Sequence, residues 1–195
     1  MPTFPERFTR VADWCSRNGV VAGFPNGHEN TTVSPNLYGT ILLTGPVDFR
    51  DVPASTLGNP ADDRTRLTSA FDYALSQGYA HGYPTFHSAG AGSALVYGTW
   101  LLPASMVAWQ DVPVAEILGG NIDPTTRPLR DWFTGAHDWA TRNGHVAAMP
   151  NGHYAQQNGT WVVGVQRFTP GSAQWRDLTA TELGYARNLR VGGGW

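Results

Sequence analysis

Gly19-Val20-Val21-Ala22-Gly23-Phe24-Pro25-Asn26-Gly27-His28 is written three times in this chain, and its recurrence decides the fold. The second copy is Gly78-Tyr79-Ala80-His81-Gly82-Tyr83-Pro84-Thr85-Phe86-His87. The third is Gly144-His145-Val146-Ala147-Ala148-Met149-Pro150-Asn151-Gly152-His153. Each has a leading Gly, an aromatic or Met before Pro, and a His three residues after that Pro. The histidines lie 59 and 66 residues apart, a little beyond the spacing at which internal duplication usually marks a repeat architecture.

An amphipathic segment precedes each copy. Phe8, Val11, Trp14 and Cys15 fall at helical spacing and stop at Asn18-Gly19. Leu67, Ala70, Phe71, Ala74 and Leu75 stop at Gln77-Gly78, and Leu129, Trp132, Phe133, Ala136 and Ala140 stop at Asn143-Gly144. Periodic apolar positions ending at Gly predict three helices, each with one face toward a shared core.

The repeated stretch itself reads as a strand leading into a turn, since Pro presets one torsion angle and Asn or Gly tolerates the next. Polar or small segments follow, at residues 30–36, 88–94 and 154–158, and read as surface loops. The copies then agree again at Tyr38-Gly39-Thr40, Tyr97-Gly98-Thr99 and Asn158-Gly159-Thr160, which open short buried strands. A further strand alternates, and its pattern predicts Phe49, Trp109 and Trp175 on the inward face. Asp51, Asp111 and Asp177 read as N-caps of a closing turn of helix.

The fold class expected is therefore α+β: three tandem helix-strand-strand-strand-short helix repeats forming one pseudo-threefold domain. The repeats span residues 1–60, 61–123 and 124–184. A tail, 185–195, either pairs back onto the N-terminal segment or hangs free. A unit of about 60 residues is marginal alone, so the copies should share one core.

Composition narrows the function. The 195 residues are 14% charged with a formal net charge of −2, which leaves no basic footprint for nucleic acid or an anionic membrane surface. All 13 basic residues are Arg. The lone Cys15 excludes an internal disulfide and reads as a buried, inert thiol. No secretory signal opens the chain as given, no stretch is long enough to span a bilayer, and the compartment is not readable. Phosphate-binding and hydrolase motifs are missing, so no cofactor and no catalytic residue is expected.

His28, His87 and His153 are the sharpest candidate site residues. If they converged, three imidazoles would resemble an open zinc site. If each stood alone beside Phe24, Tyr83 or Met149, with Asn26 or Asn151 nearby, it would suit a sugar that stacks on a ring and hydrogen-bonds at its rim. The bland alternative is a His tied to its own loop. Asp13, Asp72 and Asp138 invite pairing with an Arg of the neighbouring unit, such as Arg50 or Arg176. Because notable polar residues are spread evenly over the copies, repeated binding is favoured over one active centre. The expectation is a multivalent, lectin-like module whose partner is a glycan or other small polar ligand, with homo-oligomerisation possible. The alternatives are a structural or assembly protein and a metal-dependent enzyme using the three histidines.

Overall fold

Thr3 starts the first helix by accepting from the Glu6 backbone N–H while the Glu6 carboxylate accepts from the Thr3 N–H, a reciprocal cap that satisfies two otherwise unpaired amides. The helix, α1, runs Phe4–Arg17 and buries Phe8, Val11, Trp14 and Cys15. It ends at Asn18, with Gly19 at φ +70° reversing the chain. The computed structural model describes residues 2–185.

After α1 come β1 (Ala22–Asn30), β2 (Leu37–Leu43) and β3 (Asp48–Pro53). Then α2 (Asp63–Ser76), capped by Asp62, precedes β4 (His81–Ala89), β5 (Val96–Leu102) and β6 (Val107–Pro113). A short α3 (Val114–Leu118) leads to α4 (Leu129–Arg142), β7 (Ala148–Gln157), β8 (Thr160–Phe168) and β9 (Ala173–Thr179). The chain is α+β, with helices set against three small antiparallel sheets among the described residues. No helix among them is long and apolar enough to cross a membrane.

Each sheet completes a hairpin with a strand from outside it. The orders are β1-β2-β9, β4-β5-β3 and β7-β8-β6. The last strand thus lies on the second, from Leu37↔Thr179 to Leu43↔Ala173. This pairing brings the two ends of the described chain into one sheet without the tail. Of the tail expected at 185–195, Tyr185 is described and its ring packs 5.9 Å from Tyr38, beneath the Arg10 guanidinium; residues 186–195 lie outside the described residues.

One core cluster draws on all three sheets and all three long helices, with Phe8, Phe24, Tyr83, Phe133, Met149 and Phe168 among its members. The residues before the three repeated prolines meet there: Phe24 lies 5.7 Å from Tyr83, and Met149 belongs to the same cluster. Burying one such side chain contributes about 2 kcal/mol, so this shared interior outweighs any single surface contact.

Four expectations change at this level. The Pro-Asn-Gly segments are not turns after a strand but bulges inside one: β1, β4 and β7 each lose register between Pro25 and Glu29, Pro84 and Ser88, and Pro150 and Tyr154. Gly27 and Gly152 take φ +89° and +92° there, and Phe86 takes +63° in the middle copy. In the third copy the loop expected at 154–158 is mostly strand. Asn158-Gly159, at φ 51° and 81°, is the tight tip joining β7 to β8. It is Gly164 that faces Asp111, as Gly39 faces Asp177 and Gly98 faces Asp51.

The expected short helices are mostly turns. Only Val114–Leu118 is helical, beginning at Pro113 with no side-chain cap. It rests where α4 carries Gly135, at which an added Cβ would lie 2.1 Å from the Ile117 carbonyl oxygen. Asp51, Asp111 and Asp177 are strand residues and cap nothing. Finally, Phe49, Trp109 and Trp175 point outward, at 51%, 45% and 42% exposure. Their strands are sheet edges, and the apolar partners on these strands, Val52, Val112 and Leu178, take the buried places instead.

Candidate functional site

The bulge in each of β1, β4 and β7 is tied by a side chain just before it. Asn26 Oδ1 accepts from the His28 N–H at 3.0 Å and Asn151 Oδ1 from the His153 N–H at 2.9 Å. Thr85 Oγ1 does the same for His87 at 3.2 Å. Asn26 and Asn151 are fully buried. They orient the histidine backbone rather than meet a ligand, which corrects their expected role as donors.

The imidazoles then reach across to helices. His28 Nε2 donates to Asp138 Oδ1 on α4 at 2.7 Å, His87 Nε2 to Asp13 Oδ1 on α1 at 2.9 Å, and His153 Nε2 to Asp72 Oδ1 on α2 at 2.6 Å. The expected arginine partners are engaged elsewhere. Arg50 donates to the Tyr73 hydroxyl, and Arg176 lies over the Trp14 ring. Sequence spacing gave no sign of these pairs, because each joins residues 74 to 110 positions apart. Among the described residues no group of three His, Cys, Asp or Glu side chains is placed to hold a metal ion. The three histidines therefore do not form the zinc-like centre considered from sequence.

Phe24 and Tyr83 have no solvent exposure, so they cannot serve as platforms. The aromatic beside each histidine comes instead from an edge strand. Trp175 of β9 lies 5.4 Å from the His28 ring, and Trp109 of β6 stacks on His153 at 5.8 Å. Each indole N–H donates to a carboxylate two residues on, Trp109 to Asp111 at 2.9 Å and Trp175 to Asp177 at 2.7 Å. In the middle copy the ring at the equivalent strand position is Phe49, which packs over Gly98 and has no N–H to fix. The alternation of apolar and polar residues located these rings on one face but could not say that the face was the outer one.

Two matching clefts result. One, about 170 Å³, is lined by His28, Glu29, Asn30, Gly39, Trp175 and Asp177. The other, about 180 Å³, is lined by His153, Tyr154, Gln157, Gly164, Trp109 and Asp111. Glu29 is held by Arg7 and, at 3.0 Å, by Arg130, so the rim of the first cleft is braced from two helices.

A larger cavity of about 550 Å³ along the last turn of α4 shares His28 and Trp175 with the first cleft. His137 lies in its wall, 4.6 Å from Trp175 and 5.8 Å from His28. Burial, then the neighbouring His28, pushes the His137 pKa down, opposed by Asp138. Chemically these places offer a fixed aromatic face, an imidazole, and carboxylate acceptors at half-exposed positions. Among the described residues, aspartate is the side chain that each repeated histidine ring hydrogen-bonds. Cys15 is buried, and desolvation raises its pKa to about 12, which keeps it an inert thiol.

No protein-family model, curated protein or solved structure matches this chain, so the functional reading rests on the geometry of the site.

Proposed function

We propose that the chain is a multivalent carbohydrate-binding module, built as three helix-strand-strand-strand units about an approximate threefold axis, with a sugar cleft at each junction between units. The arrangement about an axis is supported by the strand exchange that completes every sheet and by the three His–Asp pairs that each join a strand to a helix far along the chain.

The observation that carries the binding reading is the exposed indole held beside a His–Asp pair, at Trp175 with His28 and at Trp109 with His153. A pyranose ring presents an apolar C–H face to such a ring and hydroxyls to the charged rim, and water competes poorly for both at once. The clefts are shallow, so each binds weakly and the several together gain avidity. The junction at His87 has no such indole beside its histidine and is the weakest of the three.

A glycan array probed with the wild-type protein and with the W109A/W175A double variant tests this reading. Selective hits that vanish in the double variant support it. An array with no hits above background removes it.

A further inference from the structure

The cavity beside His28 differs from the other two junctions in the polar side chains at its helix end. Counting from the paired aspartate, the residues one before, four after and seven after are His137, Arg142 and His145 around Asp138. They are Phe71, Ser76 and Tyr79 around Asp72, and Ala12, Arg17 and Val20 around Asp13. The helix end at this junction alone carries two imidazoles and a guanidinium facing one cavity, which is also the largest of the three described above.

The guanidinium is positioned rather than loose. Arg142 Nη2 donates to the Glu116 carbonyl at 2.7 Å, which anchors the group at the cavity rim. Its other N–H groups have no hydrogen-bond partner among the described residues. Behind it His145 stacks on Trp139 at 5.6 Å, with Arg167 Nη1 3.5 Å from His145 Nε2. The one carboxylate lining the cavity, Asp138, is already paired with His28. The Trp175 ring lines the same cavity as this guanidinium.

We infer that this junction selects an acidic sugar, a hexuronate or similar carboxylate-bearing ring, which stacks on Trp175 and directs its carboxylate at Arg142 and His145. The inference rests on the carbohydrate reading above and adds the ligand's charge. An aromatic ring and a guanidinium lining one cavity match a sugar ring that carries its charge at one edge. Arg is suited to this because its donor fork fits a planar carboxylate. At the Trp109 junction the matching helix position is Ser76, so a neutral sugar is the expected ligand there.

The test is calorimetric titration with glucuronate- and galacturonate-terminated oligosaccharides and with the glucose- and galactose-terminated counterparts. Wild type, R142Q and W175A are compared, with thermal melts to show that each variant is folded. The uronate forms are expected to bind wild type about tenfold more tightly than the neutral forms, the worth of one hydrogen bond to a charged group. R142Q should erase that difference while leaving neutral binding in place, and W175A should remove the uronate site altogether. Equal affinity for charged and neutral sugars in wild type overturns the inference and leaves the carbohydrate reading standing. Absence of binding to either overturns both. Sodium acetate displacing the uronate at comparable concentration would overturn the sugar assignment in favour of a bare carboxylate site.

Discussion

Trp175 Nε1 donates to Asp177 Oδ1 at 2.7 Å, so an indole that could rotate freely on an edge strand is fixed beside His28. Rigid aromatic anchors bind at a lower entropic cost than mobile ones. Replacing Asp177 with Ala is expected to weaken ligand binding at this junction by about fivefold, the worth of roughly one hydrogen bond. Stability should change by less than about 0.5 kcal/mol, as for an exposed position. Titration and chemical denaturation of the same preparation separate the two effects.

The His–Asp pairs join distant parts of the chain, but they are half-exposed, with His153 at 39% and Asp72 at 55%. Solvent screens such pairs. A double-mutant cycle on H153A and D72A is therefore expected to give a coupling energy below about 1 kcal/mol, shrinking as salt is added. A coupling of several kcal/mol would mean that the pair is a main fastening of the fold.

His81 is fully buried, and both of its ring nitrogens lack a partner among the described residues. Desolvation pushes its pKa down from 6.5 to about 3. Between these values the unfolded chain holds a proton that the folded chain does not. Stability is therefore full above the unfolded pKa and falls as pH drops toward 3, by up to roughly 4–5 kcal/mol across the window. The H81L variant, which has nothing to protonate there, should lose this slope in denaturation curves taken between pH 7 and pH 4.

Two glycines with positive φ separate backbone strain from close approach. Gly144 has φ +78° and open space where a Cβ would go, so G144A is expected to destabilise by about 1 kcal/mol. Gly152 has φ +92°, and a Cβ there would sit 2.3 Å from Thr68 Oγ1 and 3.0 Å from the Thr68 amide nitrogen. G152A should therefore be worse, by about 2–4 kcal/mol in total. Equal melting temperatures for the two variants would mean that the bulge does not press on α2.

Much of this was legible beforehand. Apolar spacing and terminal Asn-Gly located α1, α2 and α4, because helix periodicity and caps are local. The recurrence of the His-bearing stretch located the bulged strands. What escaped was long-range. Nothing local distinguishes an Asp that caps a helix from Asp111 or Asp177, which accept an indole N–H in a strand. Alternation says that Trp109 and Val107 share a parity, but not that an edge strand lets the indole turn to solvent. In the third copy Asn158-Gly159-Thr160 imitates the earlier Tyr-Gly-Thr closely enough to shift the reading by five residues, and only strand pairing reveals Gly164 as the residue facing Asp111. The His–Asp pairs depend on how strands and helices from separate parts of the chain are brought together.

The lodging of Ala173–Thr179 against Leu37–Leu43 has a consequence for how the protein is made. A nascent chain emerging from the ribosome holds one flank of the β1–β2 hairpin bare until Ala173–Thr179 has been synthesised. During that interval β2 offers a row of unsatisfied amides and carbonyls to any extended neighbour, including the same segment of another nascent copy. Production at high concentration should accordingly favour intermolecular strand trading, and slower synthesis should relieve it.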